Sequence, residues 1–575
     1  MANRLSVYSP DRQGLGPRIP NHSERMLSKL DVRPVTNDRT KATLCTFAGL
    51  TCVALSLQSW SSPIYASRCY AFDKGVRERS KEWKILGKRS VVDVSEIQTC
   101  VFEMRDAYAS GCNLPLENRI ASLSSLLRMV TENENHILDA VWKDLRRPVG
   151  ETLYYDILLV QSELRKLIKN LRLWTAPERI AKHSLLTFPS SQWIENEPYG
   201  TVLVVGPFNY PFLLTISIVA GAVAAGNNVI LKPSNDAPFS SILLEDLFSR
   251  YLDPAVVSVV GPRVPGDGID VMTALLAEKF DFIFFTGSTQ VGSIVAQRAG
   301  AKLTPYALEL GGKNPVFVTP TADLQIAAKQ CIWGRILNSG QQCVAPEYVL
   351  CHHAILGEFA FELKRWIAKL ISDPYSEGCM GQLVGGGSVA RNATDRAVRF
   401  LDKIGTAGEK LVCGGGYRKE LGIIEPTVVI CGWDSELMQD ELFCPILCVI
   451  PYHNLEDTAV MVRSRPKPLA LYIFSRSTIE QRTVLDNTTS GGVTINGVIY
   501  HAGHSSLPFG GVGESGSGVY HGRHTIDCFQ HKKPVLKKWR GVGDMGIISD
   551  PFFIYGPYRN GGMKTKLLRL VGYMS

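Results

Sequence analysis

A series of short apolar segments between residues 201 and 285 constrains the fold of this 575-residue chain more than any other feature. Thr201–Val205, Asn227–Leu231, Val256–Val260 and Phe282–Phe285 are rich in aliphatic and aromatic residues, and helical sequence such as Pro211–Ala225 separates them. Strands that are apolar along their length and alternate with helices are typical of a parallel sheet covered on both faces. This stretch therefore predicts an α/β dinucleotide-binding domain.

The loop after the last of these segments is a candidate phosphate-binding turn. It reads TGSTQVG at residues 286–292 and leads into a predicted helix at 291–299. Backbone amides at a helix N-terminus favour an anion such as a pyrophosphate. The spacing departs from GxGxxG because Thr289 stands in place of the middle glycine, so the loop alone is weak evidence. The candidate contacts are Gly287, Ser288 and Gly292.

Cys343 ends the sequence NSGQQC at residues 338–343, after small and amide-bearing residues. A free thiol has a pKa of about 8.5, so attack on a carbonyl needs a lowered pKa or a nearby base. We expect backbone amides and Gly340 to provide that setting. The chain has 14 cysteines, and for any one alone a buried packing role is the commoner explanation. The accompanying motifs favour a nucleophile.

Four motifs accompany Cys343, two before it and two after it. They are GPFNYP at 206–211, LELGGK at 308–313, ELFCP at 441–445 and LPFGG at 507–511. In this order they resemble the motif series of the aldehyde dehydrogenase superfamily, in which the Gly-Ser-Thr form of the phosphate turn is usual. Further segments resemble class 3, the fatty and aromatic aldehyde dehydrogenases: LYY at 153–155, 469–474, 490–496 and 518–522. The resemblance covers residues 92–570, roughly.

The resemblance implies the aldehyde dehydrogenase fold, an α/β architecture with a Rossmann-like cofactor domain, an α/β catalytic domain and a small oligomerisation arm. We predict the cofactor domain at residues 92–310, the catalytic domain at 311–505, and a C-terminal segment at 506–575 that contains the arm near Phe529–Trp539. The resemblance also implies NAD or NADP as cofactor and a homodimer as the assembly.

The resemblance assigns the chemistry residue by residue. Cys343 attacks the aldehyde to give a thiohemiacetal, and Asn209 with the backbone amide of Cys343 holds the oxyanion. Hydride transfer leaves a thioester, which is hydrolysed by water that Glu309 activates. Burial can raise a carboxyl pKa toward neutrality, where a general base is most useful. Glu441 would hold the nicotinamide ribose, and Phe443 would pack beside the ring.

At the adenosine end, the resemblance places Lys232 on the ribose hydroxyls. Asn235 stands where the family commonly has a glutamate that accepts from both hydroxyls and repels a 2′-phosphate. Because a neutral amide removes this repulsion, we expect use of both NAD and NADP, with Arg263 as a candidate phosphate partner. The chain departs from the family again at Cys444, which replaces a glycine.

Residues 1–91 form an N-terminal extension outside the resemblance. Within it, residues 42–60 are uncharged and approach the 20 or so apolar residues that a spanning helix needs, but Thr, Ser and Gln dilute them. We predict an intracellular protein that is organelle-targeted or membrane-anchored through this segment. A disordered extension is the alternative, and the amphipathic end at 564–575 is a second candidate membrane contact.

Charge and cysteine usage exclude several other classes. The 62 basic and 54 acidic side chains are mixed along the chain, so the net charge of +8 gives little support for a nucleic-acid partner, and we predict none. The absence of a Cys-x-x-Cys pair is typical of free thiols in a reducing compartment. His501 and His504 could suggest a metal site, but Ala502 and Gly503 between them indicate a loop, and we predict no metal.

The sequence therefore predicts an NAD(P)-dependent dehydrogenase that oxidises medium- or long-chain aliphatic or aromatic aldehydes to carboxylic acids. Tyr210, beside Asn209, suggests an apolar or aromatic wall for the substrate. One alternative is a CoA-acylating dehydrogenase, which would not need a water-activating carboxylate such as Glu309. The other is a non-catalytic binding protein of the same fold.

Overall fold

The computed structural model describes residues 94–181, 190–261, 268–381, 383, 391–405, 408–538, 557 and 559–574. The N-terminal extension with its apolar segment at 42–60 lies outside the described residues, as does Arg263. Among the described residues, no helix is long and apolar enough to cross a membrane.

The strands are numbered along the chain. They are β1 (Glu178–Arg179), β2 (Ser190–Pro198), β3 (Thr201–Val205), β4 (Asn228–Lys232), β5 (Val257–Val259), β6 (Phe282–Thr286), β7 (Tyr306–Glu309), β8 (Pro315–Val318), β9 (Tyr348–His352), β10 (Lys410–Cys413), β11 (Tyr417–Arg418), β12 (Ile423–Ile424), β13 (Thr427–Ile430), β14 (Ile446–Tyr452), β15 (Ala470–Phe474), β16 (Gly492–Ile495), β17 (Gly516–Ser517) and β18 (Gln530–Lys538).

The helices are numbered in the same way. They are α1 (Val94–Ala109), α2 (Leu116–Glu132), α3 (Glu134–Leu145), α4 (Val149–Thr152), α5 (Leu159–Trp174), α6 (Leu213–Ala225), α7 (Pro238–Tyr251), α8 (Gly268–Ala277), α9 (Thr289–Ala301), α10 (Leu324–Ile336), α11 (Leu356–Leu370), α12 (Arg391–Lys403), α13 (Leu455–Arg463), α14 (Thr478–Asn487), α15 (Tyr500–Gly503), α16 (Arg523–Cys528) and α17 (Met563–Met574). A π-helical segment, Leu153–Leu158, joins α4 to α5, and short 3₁₀ turns lie at Leu337–Gly340, His353–Ile355, Lys419–Leu421 and Glu436–Met438.

The first sheet has the order β17-β7-β6-β3-β4-β5, in which the five strands from β3 to β7 are parallel and β17 is antiparallel to β7. The chain runs from β3 outward to β5 and returns to the other side of β3 through β6 and β7. This reversal between β3 and β6 creates a topological switch point at the carboxyl ends of the strands, where open α/β sheets bind ligands. The predicted apolar segments correspond to β3, β4, β5 and β6, with ends shifted by at most one residue.

Helix α6 connects β3 to β4. Its sequence is apolar on all sides, and the folded protein buries it on all sides. Its residues from Thr215 to Ala225 are all buried. Gly226 ends the helix with φ of 102°, and its amide bonds to carbonyls of the last turn, so the chain can turn directly into β4. The first-sheet core also includes Leu203, Ile230, Phe285 and Leu308.

The second sheet has the order β10-β13-β14-β9-β8-β15-β16, with only β10 antiparallel to its neighbour. Its interior contains Phe317, Leu350, Ile446 and Leu471. The chain passes from the carboxyl end of β7 to the amino end of β8 through residues 310–314. The site residues discussed below therefore lie between the carboxyl edge of one sheet and the amino edge of the other.

The third sheet is antiparallel and pairs β1 with β2 and β2 with β18. The β2 and β18 strands pair over nine residues, from Gln530 opposite Pro198 to Lys538 opposite Ser190. Lys533 forms ion pairs with Glu195 and Glu197 across the two strands. Strand β18 coincides with the segment at which the sequence predicts the oligomerisation arm; that role stays a prediction.

Candidate active site

Three predicted catalytic side chains lie where the two sheets face each other. Asn209 is in the loop after β3, Glu309 is the last residue of β7, and Cys343 is in the loop before β9. The side-chain amide of Asn209 donates to the carbonyl of Gln341 at 2.9 Å, which joins the β3 loop to the cysteine loop. Glu309 lies close enough to the Cys343 sulfur to affect its pKa. The structure thus brings all three together.

The cysteine loop has an unusual backbone. Asn338, Ser339 and Gly340 have φ of 50°, 53° and 76°, so three consecutive residues adopt the left-handed region. For the two residues that are not glycine, this costs on the order of 1–3 kcal/mol each. A Cβ at Gly340 would lie 2.6 Å from the Cys444 carbonyl, so glycine is required there. The Asn338 side chain supports the bend by donating to the carbonyls of Asn209 and Gln341 at 3.0 and 3.3 Å.

Asn314 fixes the backbone of the nucleophile from the other side. Its fully buried amide nitrogen donates to the carbonyl of Cys343 at 2.7 Å and to that of Ala345 at 3.0 Å. Its oxygen accepts from the Ala470 amide at 2.9 Å. One amide side chain therefore ties the cysteine loop to the start of β15.

A buried ion pair supports the loop that carries Asn209. Arg147 pairs with Asp156 and also donates to the Asn209 carbonyl at 3.0 Å. Asp156 accepts from the amides of Phe212 and Leu213 at 3.1 and 2.8 Å, at the start of α6. Asp156 lies in the π-helical segment 153–158, and such segments are frequent at functional sites.

The pKa of Cys343 differs from our expectation. The amides of Cys343 and Val344 do bond to the sulfur and lower its pKa, but burial outweighs them. Burial raises the pKa of the thiol to about 12, and the nearby carboxylates of Glu441 and Glu309 add to the shift. The setting that we expected from backbone amides and Gly340 therefore does not lower the pKa of the thiol. The thiol carries its proton at neutral pH and needs a base when it attacks.

Glu309 is a carboxyl group without hydrogen-bond partners. It is 4% exposed, and neither oxygen has a partner among the described residues. Burial raises the pKa of Glu309 well above its usual value, in the direction expected for a general base. Its backbone is held firmly: its carbonyl accepts from Gly287 at 3.1 Å, and β17 pairs with it at Gly516.

Glu441 and Phe443 occupy the loop before β14. A Cβ at Gly311 would lie 2.1 Å from a Glu441 carboxylate oxygen, so this glycine makes the space for the carboxylate. Burial, together with the neighbouring Glu347 carboxylate, raises the pKa of Glu441 to about 8. Phe443 has φ of 52°, and its ring meets that of Phe208 edge to face at 6.1 Å.

Cys444 follows in the same loop, where the family pattern has a glycine. Its side chain is buried, and its carbonyl accepts from Arg335 while it packs against Gly340. The additional side chain is therefore accommodated in the buried interior.

The predicted cofactor residues lie at the carboxyl ends of β4 and β6, beside the switch point. The Lys232 ammonium group donates to the Asn235 side-chain oxygen at 2.7 Å and to the Pro233 carbonyl at 3.1 Å. Ser288 caps α9 by accepting from the Val291 amide at 3.4 Å. Helix α9 therefore begins directly after the phosphate turn, with the positive end of its dipole toward that turn.

Two glycines of the phosphate turn are required by close packing. A Cβ at Gly287 would lie 2.6 Å from the Phe285 ring, and one at Gly292 would lie 2.6 Å from Leu310. A side chain at either position would displace the turn or the helix. The switch point, the capped helix, the unpartnered carboxyl group of Glu309 and the unpartnered Oε1 of Glu441 together fit a dinucleotide that extends from β4 toward Cys343.

These observations agree with a comparison against protein-family models. The model described as "Aldehyde dehydrogenase family" matches residues 78–535. The chain belongs to the aldehyde dehydrogenase family. The aldehyde dehydrogenase fold, the predicted kinship with class 3 and an NAD(P)-dependent oxidoreductase of aldehydes are thereby confirmed.

Alignments with similar proteins cover most of this aldehyde dehydrogenase. Aldehyde dehydrogenase family 3 member H1 of Arabidopsis thaliana is 37% identical over 492 residues, which are 84% of this chain and 96% of that protein. The mouse (Mus musculus) "Aldehyde dehydrogenase, dimeric NADP-preferring" is 38% identical over 444 residues, 77% of this chain and 95% of that protein. The solved structure of Staphylococcus aureus AldH in its substrate-bound state is 31% identical, with a TM-score of 0.76 over 82% of this chain and 99% of that one.

Several residues that build the aldehyde dehydrogenase site were missed in the sequence. They are Arg147, Asp156, Asn314, Arg335 and Glu347, all buried. Only Asn314 had a usable signal, because it directly follows the LELGGK motif at 308–313. The others are charged residues that pair over 9 and 12 positions, a spacing without a local signature, and that bond to loops 56 to 109 positions away.

The structure describes both histidines that the sequence analysis considered as metal ligands, His501 and His504. His501 is buried, its Nδ1 lies 2.8 Å from the Thr494 hydroxyl, and burial lowers the pKa of its imidazole to about 4. In the part of the chain that the structure describes, no group of three or more His, Cys, Asp or Glu side chains is arranged to hold a metal ion.

Proposed function

We propose that this aldehyde dehydrogenase oxidises medium- or long-chain aliphatic or aromatic aldehydes to carboxylic acids through a thioester on Cys343. One observation carries the proposal: a thiol, an amide donor and a carboxyl group without partners lie together where the loops after β3 and before β9 approach the end of β7. A nucleophile, an oxyanion donor and a base are the groups that such an oxidation needs from the protein.

In the first step the Cys343 sulfur attacks the aldehyde carbon, and the carbonyl π electrons move to oxygen. One hydrogen of the Asn209 amide is used by Gln341, which leaves the other for the oxyanion, beside the Cys343 backbone amide. Each such donor is worth about 3–4 kcal/mol in comparable oxyanion sites. The thiol proton must leave as the bond forms. Of the two carboxyl groups beside the sulfur, Glu441, with a pKa of about 8, accepts it, which leaves Glu309 free for the later step.

When bound, NAD or NADP would supply the acceptor for the hydride of the thiohemiacetal carbon. Glu441 and Phe443 would hold the nicotinamide end, Lys232 and Asn235 the adenosine ribose, and Gly287, Ser288 and Gly292 the pyrophosphate turn. Glu309 then takes a proton from water, which attacks the thioester and releases the acid from Cys343. Burial keeps this carboxyl basic enough for the task.

The substrate class rests on an aromatic wall next to Asn209. Tyr210 is buried, and its ring lies 5.6 Å from that of Tyr155, which meets Tyr154 edge to face at 5.0 Å. Apolar and aromatic surface of this kind favours an aliphatic chain or an aromatic ring over a small polar aldehyde.

The test is reduction of NAD and NADP by the purified protein with hexanal, hexadecanal and benzaldehyde. Turnover with at least one of them supports the proposal, and the ranking identifies the substrate class. If turnover requires added CoA and releases a CoA thioester, the acylating alternative is correct. If no reduction occurs under either condition, a non-catalytic binding protein is correct.

Cofactor choice gives a separate prediction. Because Asn235 is neutral, we expect kcat/KM for NAD and NADP to differ by less than about a thousandfold. Asn235→Glu adds a carboxylate that repels a 2′-phosphate, and we expect it to lower kcat/KM for NADP by about a hundredfold or more with little change for NAD. A wild-type preference for NAD above a thousandfold, or an Asn235→Glu variant that uses NADP unchanged, would contradict this role of Asn235.

We also propose a homodimer in which the β18 segment acts as the arm, in line with the relative whose name calls it dimeric. Membrane association or organelle targeting through residues 42–60 stays a proposal about residues outside those described. Sedimentation of the full chain and of a version lacking residues 1–91 measures the oligomeric state. The same measurement with vesicles tests whether the N-terminal extension binds a membrane.

A further inference from the structure

Glu347 is a buried carboxylate near the site for which the proposed mechanism has no task. It lies four residues after Cys343, directly before β9, and is 1% exposed. One oxygen meets Arg335 at 2.5 Å, and the other meets Lys313 at 2.9 Å. Burial alone would raise the pKa of Glu347, but these two cations outweigh it and lower the pKa to about 2. The carboxylate is therefore ionised at every working pH.

The same two oxygens also accept from one backbone loop. The oxygen paired with Lys313 accepts from the Leu442 amide at 2.8 Å, and the oxygen paired with Arg335 accepts from the Phe443 amide at 3.4 Å. These amides follow Glu441, and Phe443 has a left-handed backbone that a loop without support would not favour. Glu347 thus holds a segment 95 residues away in the chain.

The two cations connect Glu347 to the remaining site segments. Lys313 follows Glu309 by four residues, and Arg335 lies in the last turn of α10, just before the bent cysteine loop. Arg335 also donates to the Cys444 carbonyl, on the far side of the same loop. A buried ion network is by itself weak evidence for stability, because desolvation offsets the attraction. The contacts of this network converge on the loop that contains Glu441 to Cys444, which indicates that the network positions that loop.

We propose that Glu347 is a positioning residue that fixes the Glu441–Phe443 segment relative to the Cys343 loop. The proposal rests on the proposed function, in which Glu441 and Phe443 contact the nicotinamide end of the cofactor. Loss of the carboxylate would then affect cofactor-dependent oxidation more than the chemistry that Cys343 performs without a cofactor.

Hydrolysis of 4-nitrophenyl acetate supplies that second chemistry. The Cys343 sulfur forms a bond to the acetyl carbon as nitrophenolate leaves, and water then displaces the sulfur to give acetate; no oxidant is involved. In Glu347→Gln we expect kcat/KM for NAD, measured at saturating hexanal, to fall by about tenfold or more while ester hydrolysis changes less than about threefold. Glu347→Asp keeps the charge between the two cations and should recover oxidation to within about threefold of the wild type.

Glu362→Gln is the matched control. Glu362 is also buried and paired with an arginine, Arg365, but it lies in α11 and contacts none of these segments through a described bond. We expect neither activity to change in it. Equal losses of oxidation and ester hydrolysis in Glu347→Gln, or no loss of either, would overturn the positioning role.

A second variant covers the case in which Glu347→Gln does not fold. The single substitution leaves buried Arg335 and partly buried Lys313 without the carboxylate that pairs with both, whereas Lys313→Met combined with Glu347→Gln restores the net charge of the cluster. The same selective loss of oxidation is expected in the double variant, and a wild-type ratio of the two activities there would overturn the proposal. If the wild type hydrolyses the ester but oxidises no aldehyde, the proposed function itself fails, which is a different result.

Discussion

Aldehyde oxidation is expected to disappear in the Cys343→Ala variant, with kcat lower by about four orders of magnitude or more. Without the sulfur no thiohemiacetal forms at this position. The fold should survive, because the contacts that hold this loop use backbone atoms: the Asn314 amide on the Cys343 carbonyl at 2.7 Å, and the Asn209 amide on the Gln341 carbonyl at 2.9 Å. The measurement is NAD(P)H formation at 340 nm with saturating hexanal.

Cys351→Ala is the matched control for the nucleophile. Cys351 is fully buried in β9, eight residues after Cys343, and its substitution should leave kcat within about threefold of the wild type. A Cys343→Ala variant that still oxidises hexanal at the wild-type rate would show that the covalent mechanism proposed here is wrong. Equal loss in both variants would indicate damage to the second sheet rather than to the chemistry.

The cofactor sheet could be predicted from sequence because its signal is local. Strand β3 was predicted with its exact ends, and β4 to β6 to within one residue, since each is a short apolar run between helices. The motifs around Asn209 and Glu309 were also local, because Asn209 lies between Pro207 and Pro211, and Glu309 lies two residues before Gly311. Gly311 has a further role that appears only in the fold, since a residue without Cβ leaves room for the Glu441 carboxylate.

What could not be predicted depends on burial and on distant partners. The sequence shows that amides surround Cys343, but it does not show how completely the sulfur is covered, and burial reverses the expected direction of its pKa. The pairing of Arg147 with Asp156 and of Glu347 with Leu442 likewise exists only once the chain is folded. Charged residues in such networks look like surface residues when they are read one by one.

Glu309→Gln should separate the two halves of the reaction. Thiol attack and oxyanion stabilisation by Asn209 do not need the Glu309 carboxylate, and Glu441 remains beside the sulfur. We therefore expect a first turnover that yields about one NAD(P)H per site, followed by a steady state lower by about a hundredfold or more, because loss of a general base costs that much. Rapid mixing measures the burst, and intact-mass analysis should show one acyl group on the protein. A variant with neither a burst nor an acyl adduct would contradict a role confined to deacylation.

The same variant has a thermodynamic consequence with a defined sign. Burial raises the pKa of Glu309 in the folded protein, so above about pH 4.5 the folded state keeps a proton that the unfolded state has lost. The stability that Glu309 contributes is therefore present below its unfolded pKa and is lost as pH rises toward its folded pKa. Glutamine has no such titration, so the Tm of Glu309→Gln minus that of the wild type should increase between about pH 5 and pH 8. A difference that is constant with pH would mean that Glu309 is not held in a raised-pKa environment, and the basis for its role as general base would be lost. If the Tm difference increases with pH while the burst persists, the unpartnered carboxyl group of Glu309 lowers the stability of the folded protein and also provides the base beside the thioester.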